Sequence, residues 1–342
     1  MKSKMFLIGA LALSSLSTIA QDIDGPTKVM VVADGKLVIG GRFEKSDRRV
    51  VNNVTTWDGT KFAGLAKGVD GQCLAIASSG KNVYVAGDYS VVNKASDGSS
   101  EIPSNRIAHW DGAKWNSLGS QTVDRDVYAA VCKENKLYIG GNFTKIGGNL
   151  ETKGVGVWDG KKWSALGNAQ FDRAVLAMAF VGNDLYVAGI FKINGDEPME
   201  GIAKWDGKTW TEPFRGGLND IKTLVSDGKN LYMGGSFGLK MFDGTTVTEI
   251  KGAPTEDVFG ICVDGSKVYI AGGFTMVGGK KCGGVAMLEG GKWTNYPEIP
   301  YTTFACVAVY NGVVYAGGLF DGGGDLKNIV KLENGNWVKL QK

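Results

Sequence analysis

The sequence predicts an all-β fold, a seven-bladed β-propeller of four-stranded antiparallel blades. Three observations support this prediction: a strand ending in Gly-Gly or Ala-Gly recurs, a Trp-Asp-Gly turn follows several copies, and each repeat has room for four short strands. Repeats of about 40 to 50 residues with four short strands are typical of propeller blades. The last glycines of the seven copies are Gly41, Gly87, Gly141, Gly189, Gly235, Gly272 and Gly318.

The first strand of each repeat is joined to the second by a tight turn, such as Asp34-Gly35 or Asn311-Gly312. These residue pairs favour hairpins because both residues tolerate positive φ. The first strands are apolar at both odd and even positions, which predicts that both of their faces are buried between neighbouring blades. One column in them is mostly small, as expected near the crowded axis: Val29, Ala75, Ala129, Ala177, Thr223, Gly260 and Cys306.

The third and fourth strands contain all nine tryptophans. Four end the third strand in Trp-Asp-Gly, and five open the fourth strand, at Trp115, Trp163, Trp210, Trp293 and Trp337. The loop between the second and third strands varies most, from an insertion over 91–105 in blade 2 to almost nothing in blade 5. Because the strands are antiparallel, these loops and the blade connections open on one side of the disc, where surface loops bind partners.

The repeats resemble those of kelch-type propellers, the superfamily that includes the central domain of galactose oxidase. The resemblance rests on the glycine pair, on a Tyr three residues before its last glycine in six copies, and on the Trp that opens the fourth strand. Segments such as 137–144 and 202–210 are more similar still to repeats of fungal cortical polarity-marker proteins and of many exported bacterial proteins. The resemblance covers roughly residues 22–342 and implies the fold, but one scaffold serves many functions.

Residues 1–20 are predicted to be a secretory signal peptide. Lys2 and Lys4 precede an apolar run over 5–16, and small residues precede a cleavage site near Ala20. We expect residues 21–342 to form a single propeller domain that is exported, periplasmic or extracellular, and monomeric, with no membrane span. Its first strand begins near Thr27 and its last ends near Lys339, so blade 7 is expected to pack on blade 1 without exchange of a strand.

The charge and the cysteines exclude some classes of protein. The formal net charge is +3, and two of these charges belong to Lys2 and Lys4, so the mature chain is nearly neutral. A nucleic-acid partner would require a strong basic excess and is not expected. Four cysteines lie on first strands, where they behave as small apolar residues, so buried thiols are expected rather than disulfides. The cysteines are Cys73, Cys132, Cys262, Cys282 and Cys306.

A recurring aspartate stands three residues before the first strand in blades 1 to 4, at Asp24, Asp70, Asp124 and Asp172. Its periodicity favours a structural role, in which each carboxylate caps its own turn by accepting backbone N–H bonds. The alternative is a polar ring at the channel mouth that holds an anionic or carbohydrate group. The neighbouring arginines are less periodic and are better candidates for binding. The predicted ligand- or partner-binding residues are Arg125, Asp126, Asp172, Arg173, Arg215 and Tyr301.

His109 is the only histidine, and it occupies a tolerant strand position. A copper centre of the galactose-oxidase type uses two histidines, so the resemblance does not extend to that activity. A zinc site with several histidine ligands is excluded for the same reason. We therefore predict no cofactor and no metal site.

Two functions are compatible with the sequence. The first is an exported non-enzymatic propeller that binds a protein or a surface glycan through its long-loop face. The second is a carbohydrate-active hydrolase or lyase that uses Asp and Arg residues at the channel mouth. Two facing carboxylates beside Arg125 or Arg173 in an open funnel would favour the enzyme. A channel mouth filled by apolar side chains would favour the binding module.

Overall fold

Seven four-stranded antiparallel sheets surround a central channel, and each sheet consists of the strands of one repeat in chain order. The computed structural model describes residues 22–93, 100–119, 123–148, 150–193, 199–214, 218–300, 302–322 and 326–341. The predicted fold class is confirmed. The predicted signal peptide lies outside the described residues, so the boundary at residue 20 stays a prediction.

Blades 1 to 3 each carry a two-stranded ribbon between the second and third strands. Blade 1 comprises β1 (Thr27–Ala33), β2 (Lys36–Gly41), the ribbon β3 (Lys45–Ser46) and β4 (Arg49–Val50), β5 (Val54–Trp57) and β6 (Phe62–Gly64). Blade 2 comprises β7 (Gln72–Ser79), β8 (Asn82–Asp88), the ribbon β9 (Val91–Val92) and β10 (Ile102–Pro103), β11 (Ile107–Trp110) and β12 (Trp115–Ser117). Blade 3 comprises β13 (Val127–Lys133), β14 (Lys136–Gly141), the ribbon β15 (Lys145–Ile146) and β16 (Leu150–Glu151), β17 (Val155–Trp158) and β18 (Trp163–Ser164).

Among the described residues of blades 4 to 7, only those of blade 6 form a separate ribbon. Blade 4 comprises β19 (Val175–Val181), β20 (Asp184–Ile193), β21 (Met199–Trp205) and β22 (Trp210–Thr211). Blade 5 comprises β23 (Ile221–Ser226), β24 (Leu231–Gly235), β25 (Gly238–Phe242) and β26 (Val247–Glu249). Blade 6 comprises β27 (Val258–Asp264), β28 (Lys267–Gly272), the ribbon β29 (Met276–Val277) and β30 (Lys280–Lys281), β31 (Val285–Glu289) and β32 (Lys292–Asn295). Blade 7 comprises β33 (Thr303–Tyr310), β34 (Val313–Asp321), β35 (Lys327–Glu333) and β36 (Asn336–Val338).

The apolar core is divided into seven clusters, one between each pair of neighbouring blades. The small column of the inner strands faces these interfaces. A Cβ added to Gly260, for example, would lie 2.8 Å from the Cα atom of Cys306 on the inner strand of the next blade. The prediction that crowding near the axis selects small residues is therefore confirmed.

A β-bulge interrupts the inner strand of every blade, one residue after its first buried position. A bulge turns an extra residue out of the regular alternation and bends the strand. The prediction that both faces of the inner strands are buried is wrong at this residue, because it faces the channel. The seven bulge residues are Lys28, Leu74, Tyr128, Leu176, Lys222, Phe259 and Ala305.

The tryptophan that opens the fourth strand connects its blade to the preceding one. Its indole Nε1 donates to a backbone carbonyl just beyond the outer strand of that neighbour, over 2.7 to 3.1 Å. The five bonds run from Trp115 to Leu65, from Trp163 to Leu118, from Trp210 to Leu166, from Trp293 to Lys251 and from Trp337 to Pro297. Phe62 and Val247 replace the tryptophan in blades 1 and 5.

The ring closes without exchange of a strand, as predicted, because blades 1 and 7 each contain only strands of their own repeat. Near the two ends of the chain, the buried Asp22 carboxylate accepts the Leu340 N–H over 2.6 Å and the Gln341 N–H over 3.2 Å. The buried amide of Asn328 donates to the Ile23 carbonyl over 3.1 Å. These bonds join blade 7 to the segment that leads into blade 1, as the tryptophan bonds join five other pairs of neighbouring blades.

Candidate functional site

The long-loop face is the side of the disc at which the second strand of each blade ends. It carries the four two-stranded ribbons, the extended ends of β20 and β34, and the connections between blades. Blade 5 has only a tight turn there, since Gly235 pairs directly with Gly238. The sequence predicted this distribution of loop lengths, and every candidate site residue that the structure describes lies on this face.

The recurring aspartates have a structural role. Each carboxylate accepts backbone N–H bonds from the segment that follows the second strand of its own blade, about 20 residues later in the chain, over 2.6 to 3.1 Å. The aspartates accept backbone N–H bonds, as predicted. The expectation that the N–H groups belong to the turn of the aspartate itself is wrong, because they belong to a segment about 20 residues later. In blade 6, Glu256 makes the equivalent bond to the N–H of Thr275. The partners are Glu44 and Lys45 for Asp24, Ser90 and Val91 for Asp70, Thr144 and Lys145 for Asp124, and Lys192 for Asp172.

The candidate arginines differ from these aspartates in having no structural bond. Arg125 and Arg173 are exposed in two successive blade connections. Among the described residues, no carboxylate lies within ion-pairing distance of either guanidinium. Each arginine stands beside a candidate aspartate, Asp126 or Asp172, but no hydrogen bond joins the two connections. Two further candidates, Arg215 and Tyr301, lie outside the described residues.

Asp126 belongs to a polar network that the sequence did not predict. Its Oδ1 lies 3.3 Å from Nε of the half-buried Arg106, an ion pair without hydrogen-bond geometry. Nη1 of Arg106 lies 3.1 Å from Asp88 Oδ1 and donates to the Tyr89 carbonyl over 3.0 Å. The Tyr128 hydroxyl donates to the second Asp126 oxygen over 3.2 Å. Burial and the Asp126 charge raise the pKa of Tyr128, so this hydroxyl remains protonated at neutral pH.

A second cation between two carboxylates lies at the interface of blades 5 and 6. Nζ of Lys222 lies 2.6 Å from Asp257 Oδ1 and 3.3 Å from Asp220 Oδ2. It also lies 4.9 Å from the centre of the Phe259 ring. Burial by itself would lower the pKa of Lys222, but the two carboxylates raise it above its ordinary value. Lys222 is therefore charged, and its charge is already compensated.

A groove of about 580 Å³ lies on the long-loop face between blades 1 and 2. Its lining is mainly polar and includes four carboxylates, three side-chain amides and one cation. The cation is Arg42, for which no ion pair occurs among the described residues. The lining carboxylates are those of Asp24, Glu44, Asp70 and Asp88, and the amides are those of Asn52, Asn53 and Gln72.

The central channel forms a second cavity, of about 320 Å³, lined by inner-strand residues of all seven blades. Its wall is mainly apolar, and it includes Cys306, whose pKa is raised to about 12 by burial. The two lysines of the bulge column, Lys28 and Lys222, also line it. A lysine within an otherwise apolar inner strand was the sequence signal that could have revealed the bulge column.

The remaining candidates have ordinary structural environments. His109 stacks on Tyr84, with ring centres 4.9 Å apart, and its Nε2 lies 2.8 Å from Asn82 Oδ1. Burial lowers its pKa, so the imidazole is neutral. All five cysteines are free thiols, as predicted.

Within the described ranges, no three His, Cys, Asp or Glu side chains are grouped so that they could hold a metal ion. The described part of the chain contains no helix with the length and apolar character needed to cross a membrane.

Comparison with known proteins identifies the fold. No family model and no curated protein matches the sequence. Similar solved structures include the WD40 β-propeller domain of Doa1, with 14% identity, a TM-score of 0.61, and coverage of 93% of this chain and 97% of that chain. YCF48 bound to D1 peptide has 11% identity and a TM-score of 0.58, with 92% and 94% coverage. YCF48 from Cyanidioschyzon merolae has 13% identity and a TM-score of 0.56, with 92% and 96% coverage. These likenesses show a propeller fold, and the kelch-type resemblance stays a prediction.

Proposed function

We propose that this chain is an exported, non-enzymatic propeller that binds a protein partner through its long-loop face. One observation carries the proposal. Five large apolar side chains are exposed among the described residues, and four of them lie on the long-loop face, two in ribbon strands and two in the extended ends of β20 and β34. These four belong to blades 1, 4, 6 and 7, and a partner that covers this face would bury them. The four are Val50, Ile190, Met276 and Leu319, whereas the fifth, Val32, lies on the inner strand β1.

Further features of the same face support a binding role. Arg125 and Arg173 are exposed without an ion-pair partner among the described residues, and arginine is enriched in protein interfaces. The groove between blades 1 and 2 adds polar groups to the apolar ones. YCF48, a propeller of similar shape, has been solved with a bound peptide. A surface glycan is the second class of partner for the same face.

The contacts of the candidate carboxylates favour the binding module over the carbohydrate-active enzyme. Asp126 is paired with Arg106, and Asp172 accepts the Lys192 N–H. The residues that line the channel are mostly apolar, but they surround an open cavity, so the criterion of a mouth filled by apolar side chains does not decide between the two functions. Export rests on the predicted signal peptide over 1–20, and the monomeric state rests on the closed ring.

The test is a binding screen with the mature chain, residues 21–342, against a displayed protein library and a glycan array. For any protein that binds, the double variant Ile190→Ser plus Leu319→Ser should weaken binding roughly tenfold or more, because it removes apolar contact area. The double variant Arg125→Ala plus Arg173→Ala should also weaken it. Val32→Ser is the matched control, since it removes an exposed apolar side chain elsewhere, and it should leave binding unchanged.

Four results would contradict the proposal. Full binding by both double variants would place the partner elsewhere on the molecule. Hits confined to the glycan array would replace the protein partner with a glycan, and shortening of a bound glycan would show catalysis. Retention of residues 1–20 in the secreted or cell-bound protein, measured by N-terminal sequencing, would contradict export by a cleaved signal peptide.

A further inference from the structure

The bulge column gives the channel an amphipathic wall. Five of its seven residues are apolar or aromatic, and the remaining two are lysines. A cavity of about 320 Å³ whose lining residues are mostly apolar, and whose wall also exposes polar atoms, has the size of a small-ligand site, roughly 300 to 1,000 Å³. The five are Leu74, Tyr128, Leu176, Phe259 and Ala305.

The two lysines of this wall differ in how their charges are compensated. Lys222 is held between Asp220 and Asp257, as described above. No carboxylate of the described residues lies within ion-pairing distance of Lys28 Nζ. Lys28 is exposed, and it brings to the channel wall a positive charge without a carboxylate partner among the described residues. Because water screens an exposed charge, a bound anion depends on a direct hydrogen bond to Nζ.

We propose that the long-loop end of the channel binds an apolar carboxylate. The carboxylate accepts a hydrogen bond from Lys28 Nζ, and the apolar part lies against Leu74, Leu176 and Phe259. This chemistry has two sources, a free aliphatic or aromatic acid and the C-terminal apolar residue of a polypeptide. The inference goes beyond the proposed function, because it does not depend on a partner for the exposed apolar side chains.

The direct bond to Lys28 determines where the anion lies. Around Lys222 and Arg106, two carboxylates surround each cation, so these sectors carry a net negative charge. The groove between blades 1 and 2 is also rich in carboxylates, so the anion is expected inside the channel beside Lys28 and not on the surface of the long-loop face. The small Ala305 of blade 7 is the bulge residue next to Lys28 in the ring and leaves space there.

The experiment measures binding of four probes to the mature chain by calorimetry and by ligand-observed NMR. Hexanoate and hexanamide test the free acid and its neutral analogue. The peptide Gly-Gly-Gly-Leu, acetylated at its N-terminus, is used with a free and with an amidated C-terminus. If only hexanoate binds, the site takes a small acid. If the peptide with the free C-terminus binds, the site takes a polypeptide C-terminus. If neither carboxylate binds at millimolar concentration, or if the amides bind as well as the acids, the proposal is wrong.

Three variants locate the site. Lys28→Gln should weaken binding roughly tenfold or more, because a hydrogen bond to a charged group is lost. Ala305→Phe should block binding by size, and it is expected to fold because Phe259 occupies the same register position in blade 6. Arg42→Gln, a change in another unpaired blade 1 cation that lines the groove instead of the channel, should leave binding unchanged.

The thermal midpoint of each variant shows whether it is folded. Equal binding by folded Lys28→Gln and wild-type protein would overturn the assignment of Lys28. Binding retained by Ala305→Phe would place the ligand outside the channel. These outcomes are independent of the double variants that test the exposed apolar side chains and Arg125 and Arg173.

Discussion

The last glycine of each pair is explained by one backbone atom of the neighbouring strand. A Cβ at any of the seven positions would lie 2.0 to 2.3 Å from the carbonyl oxygen of the residue two places before the bulge. This oxygen comes so close because the bulge bends the inner strand towards the second strand. The glycine pair that reveals the repeat in the sequence is therefore the partner of a bulge that the sequence does not show directly.

Adjacent glycines in blade 6 allow a test at this scale. Gly272→Ala should destabilise the protein by about 1 to 3 kcal/mol, because the new methyl group would lie 2.0 Å from the Asp257 carbonyl oxygen and the backbone must shift. At Gly273 the nearest atom to an added Cβ is Thr303 Cγ2 at 3.9 Å, an ordinary contact. Gly273→Ala should change stability by less than about 0.5 kcal/mol. Urea unfolding of both variants measures the difference, and equal losses would contradict the steric explanation.

Residue-level prediction succeeded where the repeat supplied the information. Columns of glycine, tyrosine and tryptophan identified structural positions, and the recurring aspartates were correctly assigned to backbone bonds. Arg106 was missed because its partners come from two blades, with Asp88 before it and Asp126 after it in the chain. A single sequence does not show which side chains of neighbouring blades meet, so the ion pairs of the mouth could not be predicted.

At the scale of the blade, the indole bonds add polar contacts between sheets that pack mainly through apolar side chains. Trp115 is buried, and its donor group satisfies the Leu65 carbonyl over 2.8 Å. Trp115→Phe keeps most of the apolar contact but removes this bond, although the Leu65 carbonyl still accepts the Gly68 N–H over 3.0 Å. The net contribution of one such hydrogen bond to stability is about 0.5 to 1.5 kcal/mol. We expect a loss of stability of this size, measured by urea unfolding.

Trp293→Phe is the matched control for this bond. Its indole donates to the Lys251 carbonyl over 2.9 Å, but the bond is exposed and water can replace the donor. The loss of stability should therefore be smaller than for Trp115→Phe. A larger loss at Trp293 would show that packing, not the hydrogen bond, accounts for the tryptophan column.

The blade itself was predictable, but its inner edge was not. Hairpin turns and the alternation of apolar residues gave four strands per repeat, and the loop lengths gave the face on which ribbons form. The bulge escaped prediction because one extra residue per strand leaves the apolar pattern almost unchanged. Lys28 and Lys222 were consequently not among the predicted site residues, although they line the channel.

For the whole molecule, closure depends on a buried carboxylate whose ionisation opposes folding. Burial raises the pKa of Asp22 above its ordinary value of about 3.9, against the two backbone N–H bonds that lower it. The folded state then holds its proton to higher pH than the unfolded state does. The contribution of Asp22 to stability is therefore largest below pH about 4 and decreases as pH rises through the folded-state pKa.

Asp22→Ala tests this sign. The variant loses the acceptors for the Leu340 and Gln341 N–H groups, so it should be less stable than the wild-type protein at every pH. The difference in the free energy of unfolding should be larger at acidic than at neutral pH. Urea unfolding of both proteins across this range measures it. If the difference in unfolding free energy between the two proteins grows towards neutral pH, the folded state favours the ionised form of Asp22 over the protonated form.

The self-contained sheets of blades 1 and 7 have a consequence for how the chain could be reconnected. Because Asp22 and Leu340 meet and no strand of the described residues crosses between blades 1 and 7, a short linker could join a chain trimmed to these positions covalently. New ends could then be opened in a different blade connection, and every sheet would keep its four strands. Such a circular permutant would keep the ring intact, and its chain ends would lie away from Lys28. The blade with which the chain begins could therefore be changed without changing the arrangement of the blades in space.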